Sequence, residues 1–521
     1  MQVVTKGLSL LIWMSVMLSG SAMAKDGSLT PELVEKIRDG FEMDTQARAI
    51  QNALTNASIR DIAQNRQIVV DHNKKFSHKI RTKGISNQKS SGRCWMFAGF
   101  NTIKPVILKN LDQGDFEFSH IYLQFWDKLE KANSFLEYMI EFRDRDLQDR
   151  DMVFLLKGPA PDGGYWENFA DLVTKYGVIP KEAMAESASS ESTSMMNRML
   201  ARLLRKHATE LREVYKETGS VKKMRRAKKE MLTEVYRILV LNLGEPPREF
   251  SYRYKAKGKD ADDDEGDDDD DADDDDDDGD DEDGDDDDED GDHEDDNDAD
   301  DEDGDEGDAE KDDYDVEQKW SERRQFTPQS FYDEFVGLDL SEYVNVSDDP
   351  IRPKGGHYEI DLTKNLWDGQ NAHYVNVDIE TLRELVVDVL LDNHAVYFAA
   401  DVSPDQDSGK GIMARNLYDY ESVYDLEMGL NKTERLLYRD STINHGMAFI
   451  GVDLDGDRPI KWLVENSWGS SRGSGGLWTM YDNWFEDNVY NIIVHRDYLP
   501  GKLRKILAKP AKKLPVWDPM W

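Results

Sequence analysis

The chain contains a single cysteine, Cys94, and the residues around it favour a chemical role over plain packing. Gln88 lies six residues before Cys94, and the polar stretch KSSGR leads from Gln88 into the apolar run CWMFAGFNTIK. That run predicts a buried helix with Cys94 at its N-terminus, where free backbone N–H groups and the helix dipole favour the thiolate. A thiolate is the nucleophilic form of cysteine. The Gln88 amide and the Cys94 N–H are suited to stabilise an oxyanion beside the sulfur.

A cysteine nucleophile that cleaves an amide needs a base that also protonates the leaving amine. His445 is the best placed of the ten histidines, because it immediately precedes the apolar run GMAFIGV, a predicted strand. Asn466 follows the next predicted strand, within the sequence VENSWG. Adjacent antiparallel strands would bring the two side chains together, so that the Asn466 oxygen fixes the ring tautomer and Trp468 shields that hydrogen bond from water. Taken singly, His445 also fits a structural histidine and Asn466 a turn cap, but the ordered set is more specific.

This ordered set resembles the papain-like cysteine peptidases and, more narrowly, the bleomycin hydrolase and aminopeptidase C family. The resemblance extends beyond the four residues and runs from about residue 60 to the C-terminus, apart from an acidic insert. The further segments that carry it are 119–128 (SHIYLQFWDK), 162–166 (DGGYW), 175–181 (KYGVIPK), 416–419 (NLYD) and 514–520 (LPVWDPM).

The resemblance implies an α+β fold, two-lobed and papain-like, with a helical insertion. It implies hydrolysis of peptide substrates through a thioester acyl-enzyme, most often at a free N-terminus, without a cofactor or a metal. Cys94 matches the nucleophile, His445 the general base and acid, Asn466 the orienting residue and Gln88 the oxyanion donor. Gly163 and Gly164 match the glycines whose backbone pairs with a substrate, and a plain turn is the alternative for them. Trp468 and Trp521 are the other candidate substrate-binding residues.

The C-terminal arm departs from the family pattern. In the family the arm lies in the cleft, where its carboxylate would pair with the α-ammonium group of the substrate. Here the arm is shorter and ends in a bulky aromatic residue, Trp521. Either Trp521 stacks in the cleft, or the arm falls short and leaves an endopeptidase with an open cleft.

The charge of the chain is concentrated in one segment. The chain has 108 acidic and 65 basic residues, and 39 of the acidic ones lie in residues 260–310, called here the acidic segment, which has no Lys or Arg. Without it, 69 acidic and 65 basic residues remain. We expect the insert to be disordered, since it cannot form a core, and to bind calcium weakly and diffusely rather than in an EF-hand. The acidity argues against nucleic-acid binding, and a single cysteine excludes an internal disulfide framework and a multi-thiolate zinc site.

The N-terminus predicts an export signal. Residues 8–18 form an apolar run of 11, which is too short to span a bilayer, and Ala22-Met23-Ala24 matches a cleavage site. We expect a periplasmic or secreted protein without a membrane span after cleavage, and an uncleaved anchor is the alternative. The resemblance further implies a possible homo-hexamer, which the acidic segments would oppose only if they pointed inward.

These patterns divide the chain into a signal peptide (1–24), a mostly helical lobe (25–258), the acidic insert (259–313) and a β-rich lobe (314–521). We expect Pro105 to kink or end the Cys94 helix. Residues 191–243 predict a helical hairpin broken at Gly219, with 12 basic and 3 acidic residues between 198 and 229, either a solvated surface or a dock for the acidic segment. Strands are predicted at 395–400, 448–452 and 461–464, with a turn at 453–457.

Two hypotheses come from other functional classes. The chain could be an inactivated peptidase scaffold that serves as an acidic calcium-binding or interaction protein, but the complete set of four catalytic residue types argues against it. It could also bind nucleic acid through the basic hairpin, and there the neighbouring acidic segment would repel phosphates.

Overall fold

A computed structural model describes residues 26–111, 116–254 and 320–521. The predicted signal peptide at 1–24 lies outside the described residues. So does the predicted disordered insert at 259–313, together with its predicted calcium binding and the domain boundaries drawn at either end of it.

Helices occur throughout the described residues and dominate before residue 250. They are α1 (Pro31–Asp39), α2 (Thr45–Leu54), α3 (Ile59–Ala63), α4 (Arg66–Asp71), α5 (Cys94–Asn110), α6 (His120–Glu141), α7 (Arg150–Lys157), α8 (Trp166–Tyr176), α9 (Ala188–Glu191), α10 (Ser194–Thr218), α11 (Val221–Leu243), α12 (Pro328–Phe335), α13 (Ile379–Leu391), α14 (Tyr420–Tyr424), α15 (Lys432–Leu437), α16 (Asp482–Asn488) and α17 (Gly501–Leu507).

Strands are concentrated after residue 340, so the predicted α+β class is confirmed. They are β1 (His78–Lys79), β2 (Phe250–Tyr252), β3 (Arg324–Phe326), β4 (Tyr343–Ser347), β5 (His357–Ile360), β6 (His373–Asn376), β7 (Val396–Ala400), β8 (Gln406–Asp407), β9 (Ile412–Met413), β10 (His445–Asp455), β11 (Arg458–Glu465), β12 (Leu477–Tyr481), β13 (Val489–His495) and β14 (Lys512–Leu514).

The chain divides into two compact units. The described part of the first consists of residues 26–66 and 418–428. Its helices α1, α2 and α3 begin at Thr30, Asp44 and Ser58, whose side chains accept backbone N–H groups of the first turn. Most of its side chains are exposed.

The second unit comprises residues 67–417 and 429–521 and contains every strand of the large sheet. In its helical part, α10 and α11 pack on α6, and α8 and α12 pack on α5. Helix α5 is buried almost all round, as its apolar sequence predicts, with Ile103 and Ile107 at 1% and 0% exposure. Of the two outcomes expected at Pro105, a kink or an end of the helix, the end does not occur: α5 continues to Asn110, because the residues beyond the proline belong to the same buried core.

The predicted hairpin forms from α10 and α11. Gly219 ends α10 in the left-handed region, with φ at 61°, which glycine adopts without steric cost. The Ser220 side chain then caps α11 by accepting the Lys223 N–H. The apolar stripe predicted on α10 faces the core, where Met196, Leu200 and Leu204 are buried.

The large sheet has the strand order β14-β5-β6-β4-β13-β7-β10-β11-β12-β9-β8, and β1 pairs with β10. The predicted strands correspond to β7, β10 and β11, and only residue 395 lies outside the observed bounds. The turn predicted at 453–457 is shorter than expected, because Asp455 pairs with Arg458 and leaves two residues between the strands. Gly456 takes φ of 63° there. Helices α13 and α16 contribute to the core on this sheet.

No helix among the described residues is both long enough and apolar enough to cross a membrane.

Candidate active site

Cys94 is the first residue of α5, and its sulfur is the centre of the site. The thiol hydrogen-bonds with the His445 ring and with the backbone N–H groups of Gly446 and Trp95. Burial raises the pKa of the Cys94 thiol, but the hydrogen bond and charge of His445, together with the two N–H groups, outweigh it and lower the pKa overall. The side chain is partly exposed, so an activated sulfur is open to a ligand.

The His445 ring is held by Asn466. His445 Nε2 lies 2.8 Å from Asn466 Oδ1, and the Ser467 backbone N–H donates to the same oxygen at 2.7 Å. Because a backbone N–H can only donate, this atom of Asn466 must be the oxygen, and Nε2 must carry the proton. The other ring nitrogen, Nδ1, is therefore the one that is free to take the thiol proton.

Strand register explains why two residues 21 positions apart meet. Strands β10 and β11 are antiparallel, with Ala448 opposite Glu465, so the start of β10 and the end of β11 share one edge. His445 is the first residue of β10, and Asn466 directly follows β11. The ring of Trp468 lies 4.8 Å from the His445 ring, centroid to centroid, and covers it on one side.

Hydrogen bonds connect Gln88 to the residues that follow β11. Its backbone N–H donates to the Ser467 carbonyl at 2.8 Å, and its Oε1 accepts the Ser467 hydroxyl at 2.7 Å. The Nε2 group donates one hydrogen to the Ser91 carbonyl at 2.7 Å. The amide orientation is thus fixed at both ends, and the second hydrogen on Nε2 is left to donate elsewhere.

Buried charged side chains fix the position of the residues on either side of Cys94. Arg93 is 1% exposed and pairs with Glu186 at 2.9 Å. Asp162 accepts the Gly92 N–H at 3.2 Å through its carboxylate, and its backbone carbonyl accepts the Trp95 indole N–H at 2.8 Å. Burial alone would raise the pKa of Asp162, but Lys128, at 2.6 Å, lowers it well below the usual range.

A second buried ion pair connects the cysteine helix to the asparagine strand. Lys104 of α5 lies 2.5 Å from Glu465, the residue before Asn466. Both side chains are almost fully buried, with exposures of 5% and 0%. Burial raises the pKa of Glu465 in spite of this partner. Such a pair contributes little net stability, but the loss of either partner would leave a buried charge.

A cleft of about 320 Å³ opens beside the sulfur. Gly163 and Gly164 form part of its wall, and Lys131 donates to the Gly163 carbonyl at 2.7 Å. A Cβ on Gly164 would lie 2.6 Å from the Trp95 ring, whereas a Cβ on Gly163 would meet nothing within 4 Å. Close packing thus requires glycine at 164, while the space beside Gly163 is open.

The C-terminal arm lies in this cleft. Strand β14 pairs in parallel with β5, and an Arg352–Asp518 ion pair anchors the residues that follow. The Trp521 ring then lies 5.3 Å from the Tyr165 ring and 5.6 Å from the Tyr374 ring, centroid to centroid. Trp521 is one of the residues that line the cleft, which is the first of the two arrangements considered from the sequence.

The structure therefore brings the eight sequence-derived candidates to one region, in two sets. Cys94, His445, Gly163, Gly164 and Trp521 line the cleft. Gln88, Asn466 and Trp468 are not among the lining residues; the first two are buried, and Trp468 contacts His445. Trp468, considered as a substrate contact, thus lies against the catalytic base instead.

Three further residues of the site were missed by sequence reasoning. Lys131 supports Gly163, and its spacing of four from Asp127, with which it pairs at 2.8 Å, was an available signal. Asp162 was read only as part of a motif. Tyr397 lies in β7 beside Gly446; burial, with the charge of Cys94 next, raises its pKa. The hydroxyl group of Tyr397 within an otherwise apolar strand was the signal available from the sequence.

Among residues 26–111, 116–254 and 320–521, no three His, Cys, Asp or Glu side chains are grouped so that they could hold a metal ion.

Comparison with known proteins identifies relatives along most of the chain. The sequence profile of the Peptidase C1-like family matches residues 28–266 and 311–521, and the unmatched stretch between them lies within the acidic insert. Aminopeptidase C of Streptococcus thermophilus is 32% identical over 496 residues, which cover 95% of this chain and 98% of that protein. Aminopeptidase C of Lactococcus lactis subsp. cremoris is 31% identical and covers 95% and 99% of the two chains.

A solved structure has the same architecture. The crystal structure of PepW from Lactobacillus rhamnosis HN001 matches with a TM-score of 0.81 and 31% identity. The match covers 95% of this chain and 99% of that one.

Proposed function

The chain belongs to the Peptidase C1-like family and is a cysteine-type peptidase with a papain-like fold; from this premise we propose that it is an exported aminopeptidase that acts through a thioester on Cys94. The observation that carries the proposal is the tautomer of His445. With Nε2 protonated and bonded to Asn466, Nδ1 is available to the Cys94 thiol, whose pKa is lowered.

In the first half of the reaction, Nδ1 of His445 takes the thiol proton and the Cys94 sulfur attacks the carbonyl carbon of the scissile peptide bond. The carbonyl oxygen becomes negative and accepts hydrogen bonds from the Cys94 backbone N–H and from the second hydrogen of Gln88 Nε2. The imidazolium then returns its proton to the leaving amine, the C–N bond breaks, and the acyl group remains on sulfur as a thioester.

In the second half, a water molecule loses a proton to Nδ1 and attacks the thioester. The same two N–H donors stabilise the second oxyanion. The C–S bond breaks, the sulfur leaves as the thiolate next to the imidazolium, and the carboxylic acid product departs. Asn466 holds the ring in one tautomer through both halves, so that the proton always moves at Nδ1.

The end of the chain supports selection of a free N-terminus. The charged side chains among the described residues that line the cleft are Lys131 and Lys364, and none is acidic. The carboxylate of Trp521 is then the negative group available to the α-ammonium group of a substrate. Its distance from Cys94 along the cleft would set how many residues fit between the N-terminus and the scissile bond.

A substrate panel tests this proposal. We expect fast release of a fluorescent amine from an aminoacyl amide and little from the N-acetylated substrate. Deletion of Trp521 should lower the kcat/KM for the free-amine substrate, while Trp521→Phe, which keeps the carboxylate in place, should preserve the preference. Equal cleavage of both substrates would favour the endopeptidase alternative, and no cleavage of either would favour an inactive scaffold.

The proposal includes export with cleavage after residue 24. Mass spectrometry of the protein isolated from a periplasmic or culture fraction should give an N-terminus at Lys25. An intact N-terminus in the membrane fraction would instead identify an uncleaved anchor.

For assembly and ion binding, we propose a homo-hexamer whose acidic segments lie outside its chamber, and weak, diffuse calcium binding to those segments. Sedimentation should give the mass of six chains. Calcium titration should produce heat with the full chain and none after deletion of residues 260–310. A monomeric mass would contradict the hexamer. Heat released on calcium titration of the chain that lacks residues 260–310 would contradict calcium binding by the acidic segment.

A further inference from the structure

One face of α11 carries exposed cations. Lys222, Arg226, Lys229 and Arg237 follow one another at spacings of four, three and eight residues, which places them on one side of the helix. All four side chains are exposed. We call these four residues the basic stripe.

The basic stripe has no partner among the described residues. None of its four side chains makes a hydrogen bond or an ion pair there, whereas cations on another face of the same helix are paired. Arg225 lies 3.2 Å from Glu137, and Lys228 lies 2.6 Å from it. Lys223 of α11 is likewise exposed and unpaired among the described residues, so the helix carries paired cations on the face toward Glu137 and unpaired ones elsewhere.

The acidic residues of α11 itself do not neutralise the stripe. Glu234 lies 3.1 Å from the His207 ring, and Glu230 makes no ion pair with the stripe among the described residues. The neighbouring helix adds positive charge, because Arg198, Arg202 and Lys216 of α10 are also exposed and without ion pairs in the described part of the chain. The hairpin thus presents a positive surface.

The acidic segment starts close to this surface in the chain. Helix α11 ends at Leu243, and β2 pairs with β3, with Tyr252 opposite Arg324. The Ser321 N–H donates to the Tyr254 carbonyl at 2.7 Å, so the two ends of the stretch 255–319 leave the described structure side by side. Both ends are held by the β2–β3 pair, whose first strand begins seven residues after the end of α11.

The acidic segment is long enough to extend along the whole of α11. Helix α11 has 23 residues and is therefore about 35 Å long, at a rise of about 1.5 Å per residue. About 11 extended residues span that distance at roughly 3.3 Å each. The acidic segment contains 51 residues, of which 39 are acidic, and begins six residues after Tyr254.

We propose that the acidic segment, residues 260–310, binds the basic stripe of its own chain. Because it belongs to the same chain as the basic stripe, the segment competes at a high local concentration and occupies the stripe before a free polyanion can. The surface of the hairpin is then closed to nucleic acid and other polyanions at low salt. The binding is electrostatic and weakens as salt shortens the range of the interaction.

Cross-linking of the full chain tests the contact directly. A zero-length carbodiimide reagent joins carboxylates to amines that touch them, and mass spectrometry locates the joined residues. We expect cross-links from residues 260–310 to Lys222 and Lys229 at low salt, at least about tenfold more abundant than at 0.5 M NaCl. Lys502 and Lys505 of α17 are exposed and without ion pairs in the described structure, and they serve as matched controls. Equal cross-linking to both pairs of lysines would overturn the proposal.

A polyanion probe tests whether the segment covers the stripe. A fluorescein-labelled single-stranded oligonucleotide should bind the chain lacking 260–310 at least about tenfold more tightly than the full chain at low salt. Adding Lys222→Glu, Arg226→Glu and Lys229→Glu to the deletion should abolish that gain, while Lys502→Glu with Lys505→Glu should leave it intact. Equal affinity of the full and the deleted chain would show that the stripe is uncovered and would refute the proposal.

Mixing isotopically light and heavy chains decides whether the contact is within one chain. We expect cross-links that join light to light and heavy to heavy. A statistical share of mixed products would assign the contact to a neighbouring copy and would contradict the proposal as stated.

Discussion

The two sides of the catalytic pair are built by different means. Cys94 is reached through a loop and a helix N-terminus whose positions depend on side-chain contacts with distant residues: Arg93 with Glu186, Gly92 and Trp95 with Asp162, and Asp162 with Lys128. His445 and Asn466 lie at the ends of two neighbouring strands, and the backbone register of β10 and β11 brings them together.

This difference determines how strongly a single substitution disturbs the geometry of each side of the catalytic pair. Strand register is shared among many backbone hydrogen bonds, so one side chain contributes little to it. The approach to Cys94 depends on a few buried charges, and removal of one partner leaves the other without compensation. We therefore expect the nucleophile side to be more sensitive to substitution than the base side, outside the reacting groups and the buried Lys104–Glu465 pair that joins the two sides.

The largest effect is expected for the reacting sulfur. Cys94→Ala should lower kcat/KM by about 10⁴-fold or more, because the covalent pathway is lost. The unfolding midpoint should stay close to that of the wild type, since the thiol is small and its tethers remain. Steady-state assays and urea unfolding of the purified mature protein check both statements. Activity within tenfold of the wild type would exclude Cys94 as the nucleophile.

A large but smaller effect is expected at the oxyanion donor. Gln88→Ala should lower kcat by about 10²–10³-fold, with little change in KM, because the amide acts on the charge that develops during the reaction. Gln88→Glu is the matched control, since it keeps the size of the side chain but replaces the donor with an acceptor. Full activity in either variant would assign the role of donor to another group.

The nucleophile side should also be the one that loses stability. Lys128→Met leaves Asp162 buried without its cation and should cost about 3–5 kcal/mol of unfolding free energy at pH 7. In the wild type the pKa of Asp162 is depressed, so the contribution of the pair is complete at neutral pH and is lost as pH falls through that depressed value. In the variant burial raises the pKa of Asp162 instead, so the deficit should shrink in acid. Urea unfolding at pH 7 and pH 4 measures this, and a deficit that grows in acid would contradict it.

Substitutions at two adjacent glycines distinguish a role in packing from a role in substrate contact. Gly164→Ala should destabilise the fold by about 1–3 kcal/mol, because its Cβ would meet the buried Trp95 ring. Gly163→Ala should leave the unfolding midpoint unchanged and lower kcat/KM by about tenfold, since its Cβ would project into open space at the cleft wall. Thermal unfolding and kinetics of the two variants are the measurements. The reverse pattern would refute this assignment of the two glycines.

The smallest effect is expected on the base side. Trp468→Leu removes a ring that contacts His445 and Trp478, and it should cost about 0.5–1.5 kcal/mol of stability beyond the loss of buried area. The activity should persist with an altered pH profile, because water gains access to the His445–Asn466 hydrogen bond. Complete loss of activity in a folded variant would mean that the base side is as sensitive as the nucleophile side.

Local sequence patterns predicted those parts of the fold that depend on neighbouring residues. The start of α5 at Cys94, the α10–α11 hairpin with its turn at Gly219 and the cores of β7, β10 and β11 follow from periodicity and turn chemistry. Whether α5 would continue beyond Pro105 could not be decided from the sequence, because burial of the following turn by tertiary contacts overrides the local preference of proline.

The four catalytic candidates were likewise predictable, since their order and flanking sequences carry the signal. The contacts that hold these four residues in place could not be predicted from the sequence. The contact of Lys131 with Gly163, that of Trp95 with Asp162 and that of Arg352 with Asp518 join segments 32, 67 and 166 residues apart, and no local pattern marks them. These contacts exist because of the fold and can be recognised only once it is known.

The rate of Cys94 alkylation by iodoacetamide as a function of pH tests the central claim most directly. The reagent reports on one residue, since the chain has a single cysteine. The wild type should reach its maximal rate at a lower pH than an ordinary thiol, whose pKa is about 8.5, because the pKa of the Cys94 thiol is lowered. His445→Ala should react slowly until alkaline pH, since burial then raises the thiol pKa without opposition from the imidazole. Superimposable profiles for the two proteins would contradict a thiolate maintained by His445.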